Sequence, residues 1–224
     1  MNNFVDIWHG PVLSEEEGDD LWLLLSEQEQ LKAKQFLRPE LQNKYISIRA
    51  RLRKILSSYL NIDPQKLIIN IAKHGKPFIK DCPLAFNLSH SKNHFVVAVS
   101  NCGEVGVDVE EDRKRADLSG LVDKCFAEPE RKYWYSLSES QRISMFYHFW
   151  VRKEAFVKAT GRGIALGLDQ CVIDVDDLTA FITIPDDYGH ASDWKIIDLS
   201  LAENSFAALV SQAVTYDFKQ IVVK

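Results

Sequence analysis

The chain has 224 residues, of which 46% are hydrophobic and 11% aromatic, so it can bury a core and is not a disordered chain. Its 32 acidic residues outnumber its 27 basic ones, and the net charge of -5 argues against general nucleic-acid binding. No stretch approaches the roughly 20 apolar residues of a membrane-spanning helix, and the N-terminus lacks a basic and then apolar signal segment. We therefore expect a cytoplasmic protein that does not bind membranes.

The cysteines favour a reducing compartment. The sequence contains four, namely Cys82, Cys102, Cys125 and Cys171. Their spacing contains neither a CxxC pair nor a compact disulfide pattern, so they are interpreted as ordinary thiols.

The first part of the chain passes from helical to extended patterns. Three extended segments are predicted, at 4–10, 67–79 and 85–110. Ser14, followed by acidic residues, predicts a helix start, and residues 41–60 carry apolar side chains near the helical period. The extended segment 85–110 is predicted to form two strands joined through residues 101–103, because Asn and Gly there favour a turn.

The second part repeats the same order. A helical region is predicted from 118 to about 160, interrupted near Pro129 and ended by Gly161 and Gly163. Extended segments follow at 171–175, 179–184, 193–199, 205–211 and 220–224. Helices followed by strands, twice, predict an α+β fold, and any boundary between two parts is expected near residues 101–106.

Asp108 and Glu110 form the first candidate site. On a strand, residues two apart project from the same face, so both carboxylates point one way while Val107 and Val109 point into the core. Two neighbouring acids repel each other unless a cation is present, and their oxygens suit Mg²⁺ or Mn²⁺. A solvent-facing strand edge would carry the same acids without any ligand.

Glu154 forms the second candidate site. At about 100° per residue it lies beside Ile143, Tyr147 and Trp150 on a predicted helix, which is an unusual position for a solvated carboxylate. Lys158 lies one turn further on. The alternative is a surface pair with i,i+4 spacing, which explains the spacing but not the apolar neighbours.

The segment NLSHS at 87–91 forms the third candidate site. Ser89 and His90 lack the sharp G-x-S-x-G turn and orienting acid of a serine hydrolase. Together with Lys76 they offer donors for an anionic ligand such as phosphate, although a histidine at the edge of the core beside turn hydroxyls remains an alternative. The three candidate sites together suit phosphoryl-type transfer, in which positioning and charge neutralisation provide most of the catalysis.

Four motifs resemble those of the 4′-phosphopantetheinyl transferases, in particular the larger type that activates surfactin synthetase. They are HGKPFI (74–79), FNLSHS (86–91), VGVDVE (105–110) and WVRKEAFVKATGRG (150–163). The resemblance covers about residues 26–170. It implies two similar α+β halves, 1–102 and 103–224, related by a pseudo-twofold axis, with coenzyme A bound between them.

The resemblance also implies the reaction. Members of this family move the phosphopantetheine of coenzyme A to a serine hydroxyl of an apo acyl or peptidyl carrier protein, with Mg²⁺ (Mn²⁺ is possible), and release adenosine 3′,5′-bisphosphate. A monomer is expected, because two halves already supply a paired interface. The alternatives are a Mg²⁺-dependent nucleotide phosphohydrolase and an inactive module that binds carrier proteins.

The resemblance assigns roles to individual residues. Asp108, Glu110 and Glu154 would ligate the metal, Glu154 would also act as the base for the serine, and Lys158 would neutralise or protonate the leaving phosphate. The residues assigned to coenzyme A are Lys32, Arg38, Lys44, Gly75, Lys76, Pro77, Asn87, Ser89, His90, Asp108 and Lys158. Within this set, residues 75–77 would line the adenine, and the first three basic residues would bind the 3′-phosphate.

Three further expectations concern residues around this predicted site. Glu29 stands where a relative has lysine, so the basic cluster for the 3′-phosphate is built differently. Glu130 resembles a family acid near the site, with a structural or helix-capping role as the alternative. Phe126, Tyr133 and Trp134 are a candidate docking surface for the carrier protein, with a role in the core as the alternative.

Overall fold

The computed structural model describes residues 2–13, 19–111, 117–212 and 215–223, so the helix start predicted at Ser14 lies outside the described residues. The described α-helices are α1 (Glu27–Ala33), α2 (Pro39–Leu60), α3 (Leu118–Cys125), α4 (Glu128–Ser136) and α5 (Glu139–Ala159). The described strands are β1 (Phe4–Pro11), β2 (Asn70–Ile71), β3 (Pro77–Phe78), β4 (Ala85–His90), β5 (His94–Ser100), β6 (Val105–Glu111), β7 (Val172–Ile173), β8 (Phe181–Thr183), β9 (Trp194–Asp198), β10 (Ser205–Gln212) and β11 (Asp217–Val222). Helices and sheets together confirm the predicted α+β class.

Two larger sheets organise the chain. The first sheet has the strand order β11-β1-β5-β4, and the second sheet has the order β6-β10-β9. Strand pairs are antiparallel except β1 with β11, which run parallel. The strand at 217–222 therefore lies in the sheet formed by the N-terminal strands, and the division into halves at residue 102 stays a prediction.

The layers run from α2 through the two sheets to α5. Leu52 and Leu56 of α2 pack with Phe95 and Val97 on one face of β5. Val96, on the other face of β5, packs with the valines of β6 in the core between the sheets. Because β5 is buried on both faces, its sequence is a continuous apolar run and does not alternate.

The long helix α5 covers the second sheet. Its residues Phe156 and Ala159 belong to a core with Trp194 and Ile196 of β9 and Val210 of β10. The helices α2 and α5 have 22 and 21 residues, and each packs on one of the larger sheets. Each of the two larger sheets therefore has one long helix packed on it, and the pseudo-twofold relation between the halves stays a prediction.

One predicted strand is in fact a hairpin. Residues 85–100 were expected to be a single strand, but the chain turns at residues 91–93, and β4 pairs antiparallel with β5. The backbone N–H of Ser91 donates to the carbonyl of His94 at 2.9 Å and closes this turn. The polar sequence Ser-Lys-Asn is a turn signal inside an otherwise β-like run, and the expectation of one strand was wrong.

Gly106 lets α5 lie directly against β6. A Cβ atom at this position would lie 2.9 Å from Ala159 Cα and would overlap the carbonyl oxygen of Ala155 and the backbone nitrogen of Ala159. All three atoms belong to the helix backbone, so no side-chain rotation can relieve the overlap. Gly106 thus sets the distance between the strand and the helix that carry the candidate catalytic residues.

We expect Gly106→Ala to lower the free energy of unfolding by about 3 kcal/mol, because the extra methyl forces α5 away from the sheet. Urea denaturation followed by circular dichroism measures this change. Equal unfolding midpoints for the variant and the original protein would contradict the close packing of α5 on β6.

Candidate active site

A hydrogen-bonded cluster links the three candidate sites across the boundary between the two sheets. Lys158 Nζ on α5 donates to Asp108 Oδ1 at 2.6 Å and to Ser89 Oγ at 2.8 Å. Ser89 Oγ in turn donates to the same Asp108 oxygen at 2.7 Å. The strand β4, the strand β6 and the helix α5 thus each supply one member of the cluster.

Asp108 is buried, and its two oxygens differ. Only 4% of the residue is exposed, so the solvent-facing strand edge is excluded for this carboxylate. Oδ1 accepts the bonds from Lys158 and Ser89, whereas the buried Oδ2 accepts no hydrogen bond from the described residues. A buried carboxylate oxygen without a donor is costly, and it is a suitable position for a cation or a ligand donor.

Two further carboxylates lie on the same elements. Glu110 follows Asp108 by two residues on β6 and shares its strand face, and Glu154 precedes Lys158 by one turn on α5. Glu154 is only 8% exposed, and one oxygen of each glutamate, Glu110 Oε2 and Glu154 Oε1, is buried. Glu154 is therefore not the solvated surface carboxylate of the alternative interpretation.

The arrangement of these acids does not by itself form a metal site. Within the described ranges, no group of three or more His, Cys, Asp or Glu side chains is placed to hold an ion. In this arrangement Lys158 supplies the positive charge at Asp108. The buried Oδ2 of Asp108 and the carboxylate chemistry of Glu110 and Glu154 fit Mg²⁺, and the metal-ligand set stays a prediction.

A cavity of about 240 Å³ opens beside this cluster. Several predicted residues from separate parts of the chain line it, namely Gly75, Lys76, Pro77, Asn87, Glu154 and Lys158. The loop after α5 completes the wall, because Gly161 ends the helix with φ +71 and its Cα faces the Lys76 side chain. The structure thus brings six of the predicted residues together around one cavity, whereas Ser89, His90, Asp108 and Glu110 are not among the residues that line it.

Lys76 has protein partners inside the structure. Its ammonium donates to Glu104 Oε2 at 2.5 Å and to the carbonyl oxygen of Ala159 at 2.7 Å. Ala159 is the last residue of α5, where a positive charge is favourable because helix carbonyls are exposed there. A phosphate contact predicted for Lys76 therefore has to compete with these two bonds.

His90 and Lys44 lie at the other end of β4. Lys44 Nζ donates to the carbonyl oxygens of Ser91 at 2.5 Å and of Lys92 at 3.0 Å. The pKa of His90 is lowered, first because neighbouring atoms displace water from the imidazole and second because Lys44 and Lys158 are positively charged. The lowered pKa favours the neutral form of His90 at neutral pH.

The remaining basic residues predicted for the 3′-phosphate do not line this cavity. Lys32 and Arg38 are exposed, and Lys32 Nζ lies 5.5 Å from the centroid of the Tyr45 ring. Their assignment to the 3′-phosphate stays a prediction.

Glu29 has a structural role that explains its departure from the family pattern. The carboxylate is 7% exposed and binds both Arg49 and Arg53 at 2.5 Å. Its pKa is lowered: burial acts in the opposite direction, but Arg49, the backbone N–H of Ser26 and Arg53 outweigh it. Glu29 also completes the capping box of α1 with Ser26, so it fixes α1 on α2.

Glu130 forms a buried ion pair behind the site. Its carboxylate contacts Lys153 Nζ at 2.7 Å, both side chains are fully buried, and it also accepts the backbone N–H of Ile173. Lys153 donates further to the carbonyls of Leu168 and Cys171. This geometry favours the structural alternative for Glu130, and sequence reasoning missed Lys153, whose only signal is a charge next to Glu154 on a buried helix face.

We expect Lys153→Met to lower the free energy of unfolding by about 3–5 kcal/mol, because it leaves the Glu130 carboxylate buried without its cation. The double variant Glu130→Gln with Lys153→Met should recover a large part of that loss. Urea denaturation of the three proteins measures both changes. A single variant as stable as the original protein would show that the pair is not a structural element.

The prediction of a docking surface is wrong for two of its three residues, which have the alternative role in the core. Phe126 and Trp134 are 1% and 4% exposed and belong to the core between α3, α4 and α5. Trp134 also donates its ring N–H to the carbonyl of Arg142, as buried tryptophans usually do. Tyr133 is half-buried against the same core.

The cluster and its cavity offer an ammonium and a hydroxyl that suit a phosphate-bearing ligand. The comparisons with known proteins give the family. The chain belongs to the 4′-phosphopantetheinyl transferase superfamily, whose family pattern matches residues 104–211. This match extends beyond residue 170, where the resemblance from motifs ended, and includes β9 and all but the last residue of β10.

Named relatives support the same family assignment. The 4′-phosphopantetheinyl transferase HetI of Nostoc sp. is 31% identical over 214 residues, which are 93% of this chain and 88% of the relative. A putative 4′-phosphopantetheinyl transferase, slr0495, of Synechocystis sp. is 33% identical over 77% of this chain and 71% of its own length. The 4′-phosphopantetheinyl transferase Sfp of Bacillus subtilis is 27% identical over 79% of this chain and 78% of its own. The protein is a 4′-phosphopantetheinyl transferase, a class that acts on carrier proteins.

Proposed function

We propose that the protein transfers 4′-phosphopantetheine from coenzyme A to a serine hydroxyl of an apo acyl or peptidyl carrier protein, with Mg²⁺, and releases adenosine 3′,5′-bisphosphate. The observation that carries the proposal is the cluster of Lys158, Asp108 and Ser89 beside the 240 Å³ cavity. A buried carboxylate, an ammonium and a hydroxyl around one cavity can receive a cation and a phosphate together.

The proposed step breaks the phosphoanhydride bond of coenzyme A and forms a phosphate ester bond to serine. The serine oxygen of the carrier protein bonds to the phosphorus that bears pantetheine, and the bond from that phosphorus to the oxygen of adenosine 3′,5′-bisphosphate breaks. Glu154, 8% exposed at the cavity, takes the serine proton. Lys158 faces the same cavity and neutralises the leaving phosphate.

Asp108, Glu110 and Glu154 are the proposed metal ligands. Bound there, Mg²⁺ adds positive charge beside the pyrophosphate oxygens. Two observations support this assignment. Oδ2 of Asp108 is buried and accepts no hydrogen bond from the described residues, and one carboxylate oxygen of each glutamate is buried. Without a cation, these three carboxylates would repel the negatively charged pyrophosphate. Their presence at the proposed site therefore favours a metal-dependent transfer.

The proposed coenzyme A site extends from the loop at 75–77 to the strand β4. Gly75, Lys76 and Pro77 contact the adenine, Ser89 and His90 contact the phosphate groups, and Asn87 is a further coenzyme A contact. A neutral His90 offers one N–H donor to a phosphate oxygen and can gain a proton when the anion binds. Lys32, Arg38 and Lys44 surround the 3′-phosphate.

A monomer in the cytoplasm is proposed for the working enzyme. All four cysteines are free thiols, which fits a reducing compartment. In the described parts of the chain, no helix combines the length and apolar character needed to span a bilayer. The halves 1–102 and 103–224 supply both walls of the site, so a second copy adds nothing to it.

Mass spectrometry of an apo carrier protein incubated with the enzyme, coenzyme A and Mg²⁺ tests the proposal. The expected result is a gain of one phosphopantetheine group that disappears when EDTA replaces Mg²⁺. Free nucleotide without a modified carrier would instead identify a phosphohydrolase. An unchanged carrier and unchanged coenzyme A, across acyl and peptidyl acceptors, would identify a binding module.

A further inference from the structure

The strand β4 reaches β6 through side chains. These two strands are the edges of different sheets, so no backbone ladder joins them. Alternate residues of β4 and its following turn bridge the gap. The N–H of Val107 donates to Asn87 Oδ1 at 3.0 Å, and the N–H of Glu111 donates to Ser91 Oγ at 3.0 Å. Between them, Ser89 Oγ donates to Asp108 Oδ1 at 2.7 Å.

The spacing of the bridges follows from strand geometry. Residues 87, 89 and 91 project from one face of an extended chain, because side chains alternate with a period of two. All three bridging side chains are less than one tenth exposed. Two backbone N–H groups at the edge of the second sheet therefore find their acceptors in the side chains of Asn87 and Ser91, which a buried N–H requires.

The two backbone bridges enclose the candidate metal ligands. The N–H of Val107 immediately precedes Asp108, and the N–H of Glu111 immediately follows Glu110. A shift of β6 by one residue would turn Val107 and Val109 toward α5 and the two acids into the core. Anchors on both sides of the segment oppose that shift and fix the direction of the carboxylates.

We infer that Asn87 and Ser91 are positioning residues for the metal: they hold β6 so that Asp108 and Glu110 face α5. This inference rests on the proposed function, since it takes these acids as the metal ligands. It gives Asn87 a role distinct from the coenzyme A contact suggested by the resemblance, and it gives Ser91 a role that the resemblance does not supply. Groups that orient metal ligands typically contribute about 10–100-fold to metal affinity.

The test compares Mn²⁺ binding with coenzyme A present and no carrier protein, measured by electron paramagnetic resonance. Asn87→Ala and Ser91→Ala should each weaken Mn²⁺ binding by about tenfold or more. Ser91→Thr keeps the hydroxyl acceptor and should restore binding to within about threefold of the original protein. Coenzyme A binding without metal, measured by calorimetry, should change little in Ser91→Ala.

Ser100→Ala is the matched control. Ser100 on β5 is 1% exposed, and its hydroxyl accepts the backbone N–H of Cys102, but it forms none of the three bridges from β4 to β6. It should lower the urea midpoint about as much as Ser91→Ala and leave Mn²⁺ affinity unchanged. Equal Mn²⁺ affinity in Ser91→Ala, Asn87→Ala and the original protein would overturn the inference.

The proposed function is tested separately by the original protein alone. If it modifies a carrier protein and binds Mn²⁺, and the variants bind Mn²⁺ equally well, then the positioning role fails and the transfer reaction stands. If it neither modifies a carrier protein nor binds Mn²⁺, both the proposed function and the positioning role fail.

Discussion

Replacing Asp108 or Glu154 by alanine is expected to lower the rate of phosphopantetheine transfer by about 1,000-fold or more while the protein stays folded, because several kcal/mol of charge stabilisation in the transition state is lost. Asp108 provides the buried oxygen that lacks a donor, and Glu154 lines the cavity. Initial rates of carrier modification at saturating coenzyme A and Mg²⁺, with circular dichroism for folding, measure the effect.

A surface glutamate provides the control for these variants. Glu128 pairs with Lys132 on α4, and both side chains are largely exposed. Glu128→Ala should leave the transfer rate within about twofold, since exposed pairs contribute little. Full activity of Asp108→Ala or Glu154→Ala at saturating Mg²⁺ would refute the proposed site.

Replacing Lys158 by methionine is expected to have opposite effects on two quantities. Transfer should slow by about 100-fold or more, because the leaving phosphate loses the positive charge of Lys158. Mn²⁺ binding should tighten by about tenfold, since the variant removes a positive charge that contacts Asp108 at 2.6 Å and competes with the metal for that carboxylate. Electron paramagnetic resonance and carrier modification measure the two effects on the same preparation.

The variant Lys158→Arg shows whether the change in Mn²⁺ affinity comes from the positive charge or from the shape of the side chain. It keeps the positive charge, so its Mn²⁺ affinity should stay close to that of the original protein even if transfer slows. Weaker Mn²⁺ binding in Lys158→Met would mean that the ammonium supports the metal site and does not compete with it.

Much of the fold follows from local pattern. The helical period of residues 41–60 and the long stretch ending at Gly161 correspond to α2 and α5, because each helix buries one face on a sheet. The hairpin between β4 and β5 was missed, since its turn of three polar residues is short and follows the polar residues of β4 without a clear break. A strand buried on both faces gives no alternation that could mark its ends.

The candidate site was predictable only in part. Motifs identified Asp108, Glu154 and Lys158, and spacing within a helix suggested a pair between Glu154 and Lys158. The contact of Lys158 with Asp108 joins residues 50 positions apart and depends on Gly106, which lets α5 approach β6. Such contacts follow from packing between elements and leave no periodic signal in the sequence.

Buried polar pairs were the least predictable feature. Glu29 was recognised only as a departure from a relative, whereas in the structure it binds two arginines of α2. Glu130 and Lys153 pair across 23 positions at the centre of a hydrophobic core. A charged residue in the sequence usually indicates the surface, and only the fold shows where two such residues compensate each other.

A crystal structure of the protein with coenzyme A and Mn²⁺, with an anomalous difference map at the manganese edge, tests the metal site most directly. We expect a single strong peak at a distance of about 2.0–2.3 Å from carboxylate oxygens of Asp108, Glu110 and Glu154, and next to the pyrophosphate. A map with coenzyme A bound but no peak between these three carboxylates would contradict the proposed mechanism.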